Sequence, residues 1–423
     1  MTAASVPPAQ PIDTAAADPA RPLPLRENRD FRALLGSQAV SALGDAVSFT
    51  ALPLLVLALT GSGLAMGIVG ALQTLPDLVF GLVAGALADR SDRRRMMFLA
   101  DLGRAVLTAL IPISVLLDGP TLGVVLVVAA PMSILRTLFL AGYTASVPAI
   151  VGRSQVGGAN AIFEAVYSFG YILGPAIAGL LASVIGPGLT LAVDAASFLV
   201  SGLGILLIGR SLRAPETRPR ASMRADIREG IAYLAGHRVL RAAVAFWGLT
   251  SVTLAPLVAA LTYHVTRELA LDEAALGLVL TAFGVGTVTG SLLAARLRRR
   301  VVGLTLLLGN LGTGAAIVAS GLLPDIGPLL VAAFVGGISE STVLVTYITL
   351  RTVASPDELL GRIGSTARTI SLGLQPLGLV IGGLLIDALG AGTALVLIGT
   401  TVVVIGVAFA PVAELRRASL TGR

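Results

Sequence analysis

The sequence predicts an all-α integral membrane protein in which twelve transmembrane helices form two six-helix pseudo-repeats. Of its 423 residues, 55% are hydrophobic and only 13% are charged, against about 25% charged residues in an ordinary soluble domain. The mean hydropathy is +0.90, and the apolar residues fall in runs of roughly 20, which is the length that a helix needs to cross a bilayer core. Because a spanning segment must satisfy its own backbone polar groups in lipid, these runs are predicted to be helices.

Twelve such runs follow one another along the chain, separated by short polar stretches. An Ala- and Pro-rich stretch, 1–30, precedes them and lacks the apolar core of a signal peptide, so we expect a disordered cytoplasmic tail. A second cytoplasmic tail is expected over 414–423. The predicted spans are 32–58, 63–88, 96–117, 121–146, 157–184, 188–209, 240–263, 274–296, 301–323, 327–350, 366–388 and 393–413.

The positions of the arginines predict the orientation of the helices. All thirty basic residues are Arg, and all but three fall in the tails or in alternate loops. The exceptions are Arg104 and Arg136, which lie inside apolar runs, and Arg267, which lies in a loop on the other side. Because short Arg-rich loops stay on the cytoplasmic side, both termini are predicted to be cytoplasmic, in a bacterial inner or plasma membrane. Topology thus explains the net charge of +6 without a nucleic-acid partner.

The longest polar stretch, 210–238, is predicted to be a cytoplasmic linker between an N-terminal bundle, 31–209, and a C-terminal bundle, 239–413. A part of this linker, 225–234, could form a short surface helix. Weak internal similarity indicates duplication, because paired glycines precede an Arg cluster after both the second and the eighth helix. Two parallel repeats of six helices are typical of a large class of transporters.

The composition excludes several kinds of active site. There is no Cys, and His237 and His264 are the only histidines, which rules out disulfides, thiolate chemistry and a His-rich metal site. No Lys is present to complete a nucleotide-binding P-loop, so ATP is not the expected energy source. We therefore predict neither a metal nor a cofactor, and no catalytic cluster indicates an enzyme. Carboxylates must carry out any proton transfer.

The loop after the second predicted helix carries the run Gly85-Ala-Leu-Ala-Asp89-Arg90-Ser-Asp92-Arg93. On the residues alone, Gly85 permits close helix contact, Asp89 can cap or pair locally, and the arginines anchor the loop at the headgroups. The spacing also resembles the loop signature of the major facilitator superfamily, with Asp92 where that pattern has Gly. The resemblance implies a charge latch that helps to set the inward/outward equilibrium. Its members would be Gly85, Asp89, Arg90 and Arg93.

A second motif lies in the fifth helix, where four residues are spaced as in the antiporter signature of the same superfamily, with Ala178 replacing a Gly. They are Gly170, Gly174, Pro175 and Gly179. Without that resemblance, the glycines predict tight helix packing and the proline predicts a bend. Both motifs together resemble the drug:proton antiporter branch, which contains macrolide-efflux and enterobactin-exporter-like proteins. The resemblance covers 30–413 and implies the major facilitator fold.

Ionisable residues inside the spans are the best candidates for function, because each is unfavourable in lipid unless it faces protein, water or a partner. Asp45, Asp77 and Arg136 lie near the middle of the first, second and fourth helices. One hypothesis is that Asp45 or Asp77 exchanges a proton while Arg136 tunes it, since burial raises a carboxyl pKa and a nearby Arg lowers it. The alternative is a permanent ion pair that locks the three helices together.

Three more ionisable residues lie within spans of the N-terminal bundle. Asp101 and Arg104 are one turn apart in the third helix, so we expect them to satisfy each other as a structural pair. Asp194, in the sixth helix, is also expected to be structural.

Polar and aromatic side chains on several spans could line a water-accessible substrate cavity. An acid beside tyrosines suits a large, partly aromatic or cationic substrate, through hydrogen bonds, stacking and cation–π contacts. Ordinary interhelical hydrogen bonding would use the same residue types. The predicted cavity residues are Gln38, Ser41, Gln73, Tyr143, Glu164, Tyr167, Tyr171, Glu340 and Tyr347.

Taken with the resemblance, these features predict a monomeric transporter that exports an amphipathic small molecule, such as a drug, macrolide or siderophore, in exchange for protons. The proton gradient would be the energy source, and the partners would be the substrate and the lipid bilayer. Import of a small metabolite and lysolipid flipping remain alternatives within the same fold. A receptor or channel is less favoured, because the chain shows neither pore repeats nor a sensing domain.

Overall fold

The computed structural model describes residues 23–117, 119, 121–213, 223–296, 302–356, 359–412 and 415. Most of the two predicted tails and part of the predicted linker lie outside these residues. The side chains of Asp77, Leu82 and 223–227 are also outside the description.

The described chain is built from helices. They are α1 (Arg29–Thr60), α2 (Gly63–Ala88), α3 (Arg93–Leu117), α4 (Leu122–Val151), α5 (Val156–Ile185), α6 (Pro187–Leu206), α7 (Met223–Gly236), α8 (Arg238–Leu254), α9 (Leu257–Tyr263), α10 (Glu273–Arg296), α11 (Val302–Leu322), α12 (Ile326–Val353), α13 (Leu360–Gly373), α14 (Gln375–Leu389) and α15 (Ala391–Phe409). Over the described residues, twelve units are long and apolar enough to cross a membrane, which confirms the predicted number of spans. α7 is the short helix expected in the linker.

Two of the spans consist of two helices each, where the sequence predicted one. α8 gives way to α9 at Pro256, and α9 continues into a π-helical turn, His264–Glu268. α13 gives way to α14 next to Pro376, which occupies the first turn of α14. Proline lacks the backbone N–H that a continuous helix needs, and its ring displaces the preceding turn. These two spans therefore contain a joint near their middle.

Successive spans run in opposite directions, so the bundle has two distinct ends. One end, which we call the terminal end, carries the start of α1, the whole of α7 and the last turn of α15. The other, which we call the opposite end, carries the short turn between α1 and α2. Most helices of α1–α6 pack on one another, as do most of α8–α15, while α2 packs on α14 and α5 packs on α10 across the two groups. We call these groups the N-half and the C-half.

The buried apolar side chains form three clusters. The cluster at the opposite end draws on both halves, and includes Leu55 of the N-half with Val265 and Ile386 of the C-half. The other two clusters lie at the terminal end. Among the described residues, the one around Phe31 contains only N-half residues and their continuation after α6, whereas the one around Phe246 contains only residues from α7 onward. The core is thus continuous between the halves at one end only.

Glycines allow the halves to touch at the opposite end. A Cβ on Gly179 of α5 would lie 2.5 Å from the carbonyl oxygen of Glu273, at the start of α10. A Cβ on Gly63 of α2 would lie 2.9 Å from the carbonyl oxygen of Gly383 in α14. Further along α2, toward the terminal end, a Cβ on Gly85 would meet nothing within 4 Å. The two halves therefore separate toward the terminal end.

Candidate functional site

A buried guanidinium lies at the centre of the N-half. The Arg104 side chain, on α3, is only 2% exposed and forms an ion pair with Asp101 on the same helix. Its Nη1 atom lies 3.9 Å from Oδ1 of Asp45 on α1. Its guanidinium carbon also lies 4.6 Å from the ring centre of Phe139 and 4.2 Å from that of Phe198. Arg104 is therefore fixed between two aromatic rings while it faces two carboxylates.

The Asp101 carboxylate is completely buried and accepts a hydrogen bond of 2.6 Å from Ser201 of α6. The predicted structural pair between Asp101 and Arg104 is therefore present. It is not isolated, because Arg104 also reaches Asp45.

A third carboxylate, Asp194 of α6, lies close to the first two. It accepts a hydrogen bond of 2.5 Å from Ser48 of α1 and one of 3.3 Å from Ser197 of its own helix. Gly44 permits this approach, since a Cβ there would overlap the Ser197 side chain. The hydrogen bond from Ser48 places Asp194 beside the part of α1 that carries Asp45. Asp194, which the sequence suggested was only structural, thus belongs to the same group.

We call Asp45, Asp101, Arg104, Arg136 and Asp194 the charge cluster. Arg136 of α4 is included as the group that the sequence predicts to tune Asp45. The cluster therefore contains three carboxylates and two guanidiniums. If all five groups were ionised, it would carry one excess negative charge in a region where unbalanced charge is unfavourable. One proton shared among the carboxylates would make it neutral.

Asp45 is the cluster carboxylate that remains accessible. Its side chain is 43% exposed, although Asp101 is fully buried and Asp194 nearly so. Ser41, one turn earlier on α1, places its hydroxyl oxygen 3.5 Å from Oδ2 of Asp45. One turn later, Phe49 packs edge-on against Tyr171 of α5, with ring centres 6.2 Å apart. Asp45 is therefore the carboxylate of this cluster that is open to its surroundings.

Two of the predicted cavity residues of α5, Tyr167 and Tyr171, contact α1. The Tyr167 hydroxyl donates a hydrogen bond of 2.8 Å to Oε1 of Gln38 on α1, and Tyr171 is exposed. Glu164 is also exposed, one turn nearer the terminal end. Together with Phe49, these side chains form an aromatic face with two acids beside it. We call this face, consisting of Asp45, Phe49, Glu164, Tyr167 and Tyr171, the open face.

Other predicted cavity residues occupy different environments. Tyr143 is buried and packs edge-on against Phe163, with ring centres 5.2 Å apart. Gln73 is half-buried on α2. In the C-half, Tyr347 is buried and stacks on Trp247 at 5.4 Å, while Glu340 of α12 is half-buried and has no hydrogen bond or ion pair with a described residue. The structure therefore places Tyr143 and Tyr347 within the packing of their own halves.

Asp77 was the second predicted proton carrier. It lies on α2, but its side chain is outside the described residues. No group of three or more potential metal ligands occurs in the part of the chain that the structure describes.

The predicted latch residues contact only the N-half among the described contacts. Arg93 is buried and donates hydrogen bonds to the carbonyl oxygens of Ala88, at 3.1 Å, and Ala145, at 3.0 Å. Its Nη2 atom lies 3.9 Å from Oδ1 of Asp89. Arg90 is exposed. These contacts bind the loop to α2 and α4 at the terminal end, where the halves are apart.

The antiporter-like motif of α5 contacts both halves. A Cβ on Gly170 would lie 3.1 Å from the carbonyl oxygen of Ala42 on α1, and one on Gly174 would overlap Ala46. Further along α5, the Pro175 carbonyl oxygen would lie 2.5 Å from a Cβ on Gly277 of α10. Gly179 continues this contact with α10. The small residues predicted to pack tightly therefore join α1 to the interface between the halves.

Comparison with known proteins agrees with this architecture. The family model for transmembrane secretion effectors matches residues 21–420. The multidrug efflux pump Tap of Mycolicibacterium fortuitum is 28% identical, over 92% of this chain and 97% of that protein. The enterobactin exporter EntS of Escherichia coli is 27% identical, over 87% of this chain and 86% of its own length.

A solved structure of the nucleoside transporter NupG has a similar fold, with a TM-score of 0.72 at 12% identity, over 92% of this chain and 99% of that one. Because the identity is low, this likeness supports the fold alone. The family is shown instead by the family model, which matches nearly the entire sequence. The chain therefore belongs to the transmembrane secretion effector family of the major facilitator superfamily, and is a multi-pass membrane transporter rather than an enzyme.

Proposed function

We propose that this protein exports an amphipathic small molecule in exchange for protons. The observation that carries the proposal is the position of Asp45, a half-exposed carboxylate that pairs with a buried Arg104 and is part of the open face. Asp45 belongs both to the charge cluster and to the open face, so a proton and a substrate can reach the same carboxylate. The names of the relatives, a multidrug efflux pump and an enterobactin exporter, favour export over import or lysolipid flipping.

In this proposal, the proton and the substrate compete for the same carboxylate. Deprotonated Asp45 pairs with Arg104 at 3.9 Å and presents negative charge to a cationic or hydrogen-bonding group of the substrate. Protonation removes that charge and weakens both contacts, so the substrate is released. Asp77 and Arg136 are proposed to assist on the α2 and α4 sides. No cofactor is needed, because the proton gradient supplies the energy.

Alternating access would move the halves about the site. We infer from the Arg distribution that the terminal end is cytoplasmic, in a bacterial inner membrane. The structure, in which the core shared by the two halves lies at the opposite end, then corresponds to an inward-open state. On closure of the cytoplasmic end, Gly85 of α2 would approach the C-half, and the latch residues Asp89, Arg90 and Arg93 would bridge the halves. A single chain supplies both halves, so a monomer is sufficient.

Transport by inside-out membrane vesicles tests this function. We expect vesicles that contain the protein, with an acidic lumen, to accumulate at least one compound from a panel containing a macrolide, an aromatic cation and a catecholate siderophore. A protonophore should abolish the accumulation, because it removes the only proposed energy source. Vesicles without the protein are the control. Accumulation that persists after the pH gradient and membrane potential have collapsed would contradict proton coupling.

The closed end of the molecule contains a contact that should control this cycle. Asp387, at the end of α14, caps the start of α2 across the two halves. It accepts hydrogen bonds from Ser62 Oγ at 2.7 Å, from the Gly63 backbone N–H at 2.5 Å and from the Leu64 backbone N–H at 3.0 Å. Arg267 of the C-half similarly donates a 3.4 Å hydrogen bond to the Leu57 carbonyl oxygen near the end of α1. The anion and the cation thus complement the dipoles of two N-half helices.

Replacing Asp387 by Ala should shift the protein toward states in which the opposite end is open. Loss of a helix cap is worth about 1 to 2 kcal/mol, which corresponds to about a 5- to 30-fold change in population. The chain has no Cys, so a Met66→Cys reporter in the shared core measures this opening through its rate of labelling by a polar maleimide. We expect labelling to be faster by about that factor in Asp387→Ala.

Asp325→Ala is the matched control for this experiment. Asp325 lies at the same end of the same half, at the start of α12, but its side chain makes no capping hydrogen bond. Its substitution should leave the labelling rate of the Met66→Cys reporter unchanged. Equal labelling rates in the Asp387→Ala and Asp325→Ala proteins would show that the cross-half cap does not hold this end closed.

A further inference from the structure

A cavity of about 470 Å³ lies at the terminal end of the N-half, away from the charge cluster. It is enclosed by the start of α3, the end of α6 and the residues that follow α6. Its charged lining residues are Asp92, Arg94, Arg95, Arg210 and Arg213, and Phe98 contributes to its apolar wall. The wall therefore has four positive charges and one negative charge.

The single acid of this wall is already engaged. Asp92 Oδ1 accepts hydrogen bonds from the backbone N–H groups of Arg94, at 3.0 Å, and Arg95, at 3.3 Å, so it caps the start of α3. Its other oxygen, Oδ2, lies 4.0 Å from Nε of Arg213. Asp92 can balance at most one of the four guanidiniums. Asp30 accepts hydrogen bonds from the backbone N–H groups of Gly209 and Arg210 beside the cavity. Even with this second acid, the four guanidiniums leave a surplus of positive charge.

Two of the guanidiniums are held in place by backbone carbonyls. Arg94 donates a hydrogen bond of 2.7 Å to the Ile208 carbonyl oxygen, and Arg210 donates one of 2.8 Å to the Ala149 carbonyl oxygen. Arg95 is exposed, and the Arg213 side chain is 74% exposed. A fixed pair of guanidiniums with two exposed ones beside it suits an anion with several oxygens, because Arg binds phosphate with parallel hydrogen bonds.

The surface that continues from the cavity along the helices is apolar. Leu99 and Leu102 of α3 are 61% and 39% exposed, and Leu203 and Leu206 of α6 are 62% and 40% exposed. Within the described chain, α3 and α6 pack only on helices of the N-half, so these leucines face lipid. A ligand that fills the cavity and follows this surface must have an anionic head and a hydrocarbon tail.

We propose that this cavity binds the headgroup of an anionic phospholipid, with its phosphodiester among the four arginines and its acyl chains along the leucines of α3 and α6. Basic pockets between transmembrane helices at the headgroup level are suited to such lipids. The bound phosphate would connect Arg95, at the start of α3, with Arg213, at the start of the linker. This site is independent of the open face and does not require the proposed export function.

Native mass spectrometry of the full-length protein in detergent tests the proposal. The protein is mixed with equal amounts of phosphatidylglycerol and phosphatidylcholine, and retained lipid is counted. We expect preferential retention of phosphatidylglycerol by the unmodified protein. The double variant Arg95→Gln/Arg213→Gln should reduce that retention on the order of tenfold, given the contribution of each basic residue near a lipid headgroup. Neither side chain donates to a described backbone carbonyl, so the fold should persist, which the thermal unfolding temperature in lipid-free detergent checks.

The double variant Arg32→Gln/Arg153→Gln is the matched control. It removes two exposed arginines from the same end of the N-half but outside the cavity, and should retain phosphatidylglycerol as the unmodified protein does. Equal losses in the two double variants would overturn the proposal, because the effect would then follow net charge alone. Displacement of the lipid by inorganic phosphate or glycerophosphoglycerol at similar concentrations would also overturn it, since the cavity would then bind a soluble phosphate. Resistance to both competitors supports the lipid site.

Discussion

Replacing Arg104 by Met is expected to destabilise the protein by about 3 to 5 kcal/mol, the typical effect of removing one partner from a buried ion pair. Arg104 is buried between Phe139 and Phe198 and faces a fully buried Asp101. Met fills part of the space but leaves the carboxylate without a counter-charge. The measurement is the unfolding temperature of the purified protein in detergent, which should fall markedly.

Two variants distinguish loss of the ion pair from loss of packing. Arg104→Met combined with Asp101→Leu removes both charges and should recover much of the lost stability, because an apolar pair of similar volume can replace a buried ion pair. Arg153→Met, at an exposed position, should change the unfolding temperature little. If Arg104→Met and Arg104→Met/Asp101→Leu unfolded at the same temperature, the loss of stability would come from packing and not from the unpaired charge of Asp101.

Replacing Asp45 by Asn is expected to reduce proton-driven efflux to the background level. Asn preserves the size of the side chain and can still accept a hydrogen bond from Ser41, which lies 3.5 Å away, but it cannot carry the proton or pair with Arg104. Substrate counterflow, which requires no net proton movement, should continue but need a higher substrate concentration for half-saturation, because the substitution removes the negative charge that the proposal places against the substrate. The two assays on the same vesicles therefore separate loss of coupling from loss of folding.

Substituting Asp77 together with Asp45 tests both predicted proton carriers at once. If proton-driven efflux were unchanged in the double variant Asp45→Asn/Asp77→Asn, neither carboxylate would be the proton carrier. Asp194 would then be the remaining candidate in the charge cluster that contacts α1, through its hydrogen bond from Ser48.

The sequence predicts the spans well because each is specified locally. An apolar run of about 20 residues is sufficient to define a transmembrane helix, and neighbouring residues alone determine it. The joints at Pro256 and Pro376 are harder to predict, because other prolines, such as Pro53, Pro112 and Pro131, lie inside helices that continue. Whether a proline interrupts a span depends on its packing, which local sequence does not contain.

The charge cluster shows where sequence reasoning stops. From the sequence, Asp45 is predicted to be a proton carrier and Arg136 to be the group that tunes it. The same reasoning assigns Arg104 to a local pair and Asp194 to structure, because helix packing is needed to bring α3 and α6 to α1. Gly44 was the available signal, since a glycine opposite Ser197 permits the close contact that places Asp194 beside Ser48.

The core that both halves share at the opposite end also bears on how the chain is made. During synthesis, α1–α6 enter the membrane before α9 and α14 exist, so apolar surface that will later meet the C-half first lies against acyl chains. Lipid is about as apolar as the eventual protein partner, so this waiting period exposes no hydrophobic surface to water. The same surface meets water only later, when the finished transporter opens at that end. Apolar surface of this interface is therefore exposed to water during transport but not during synthesis.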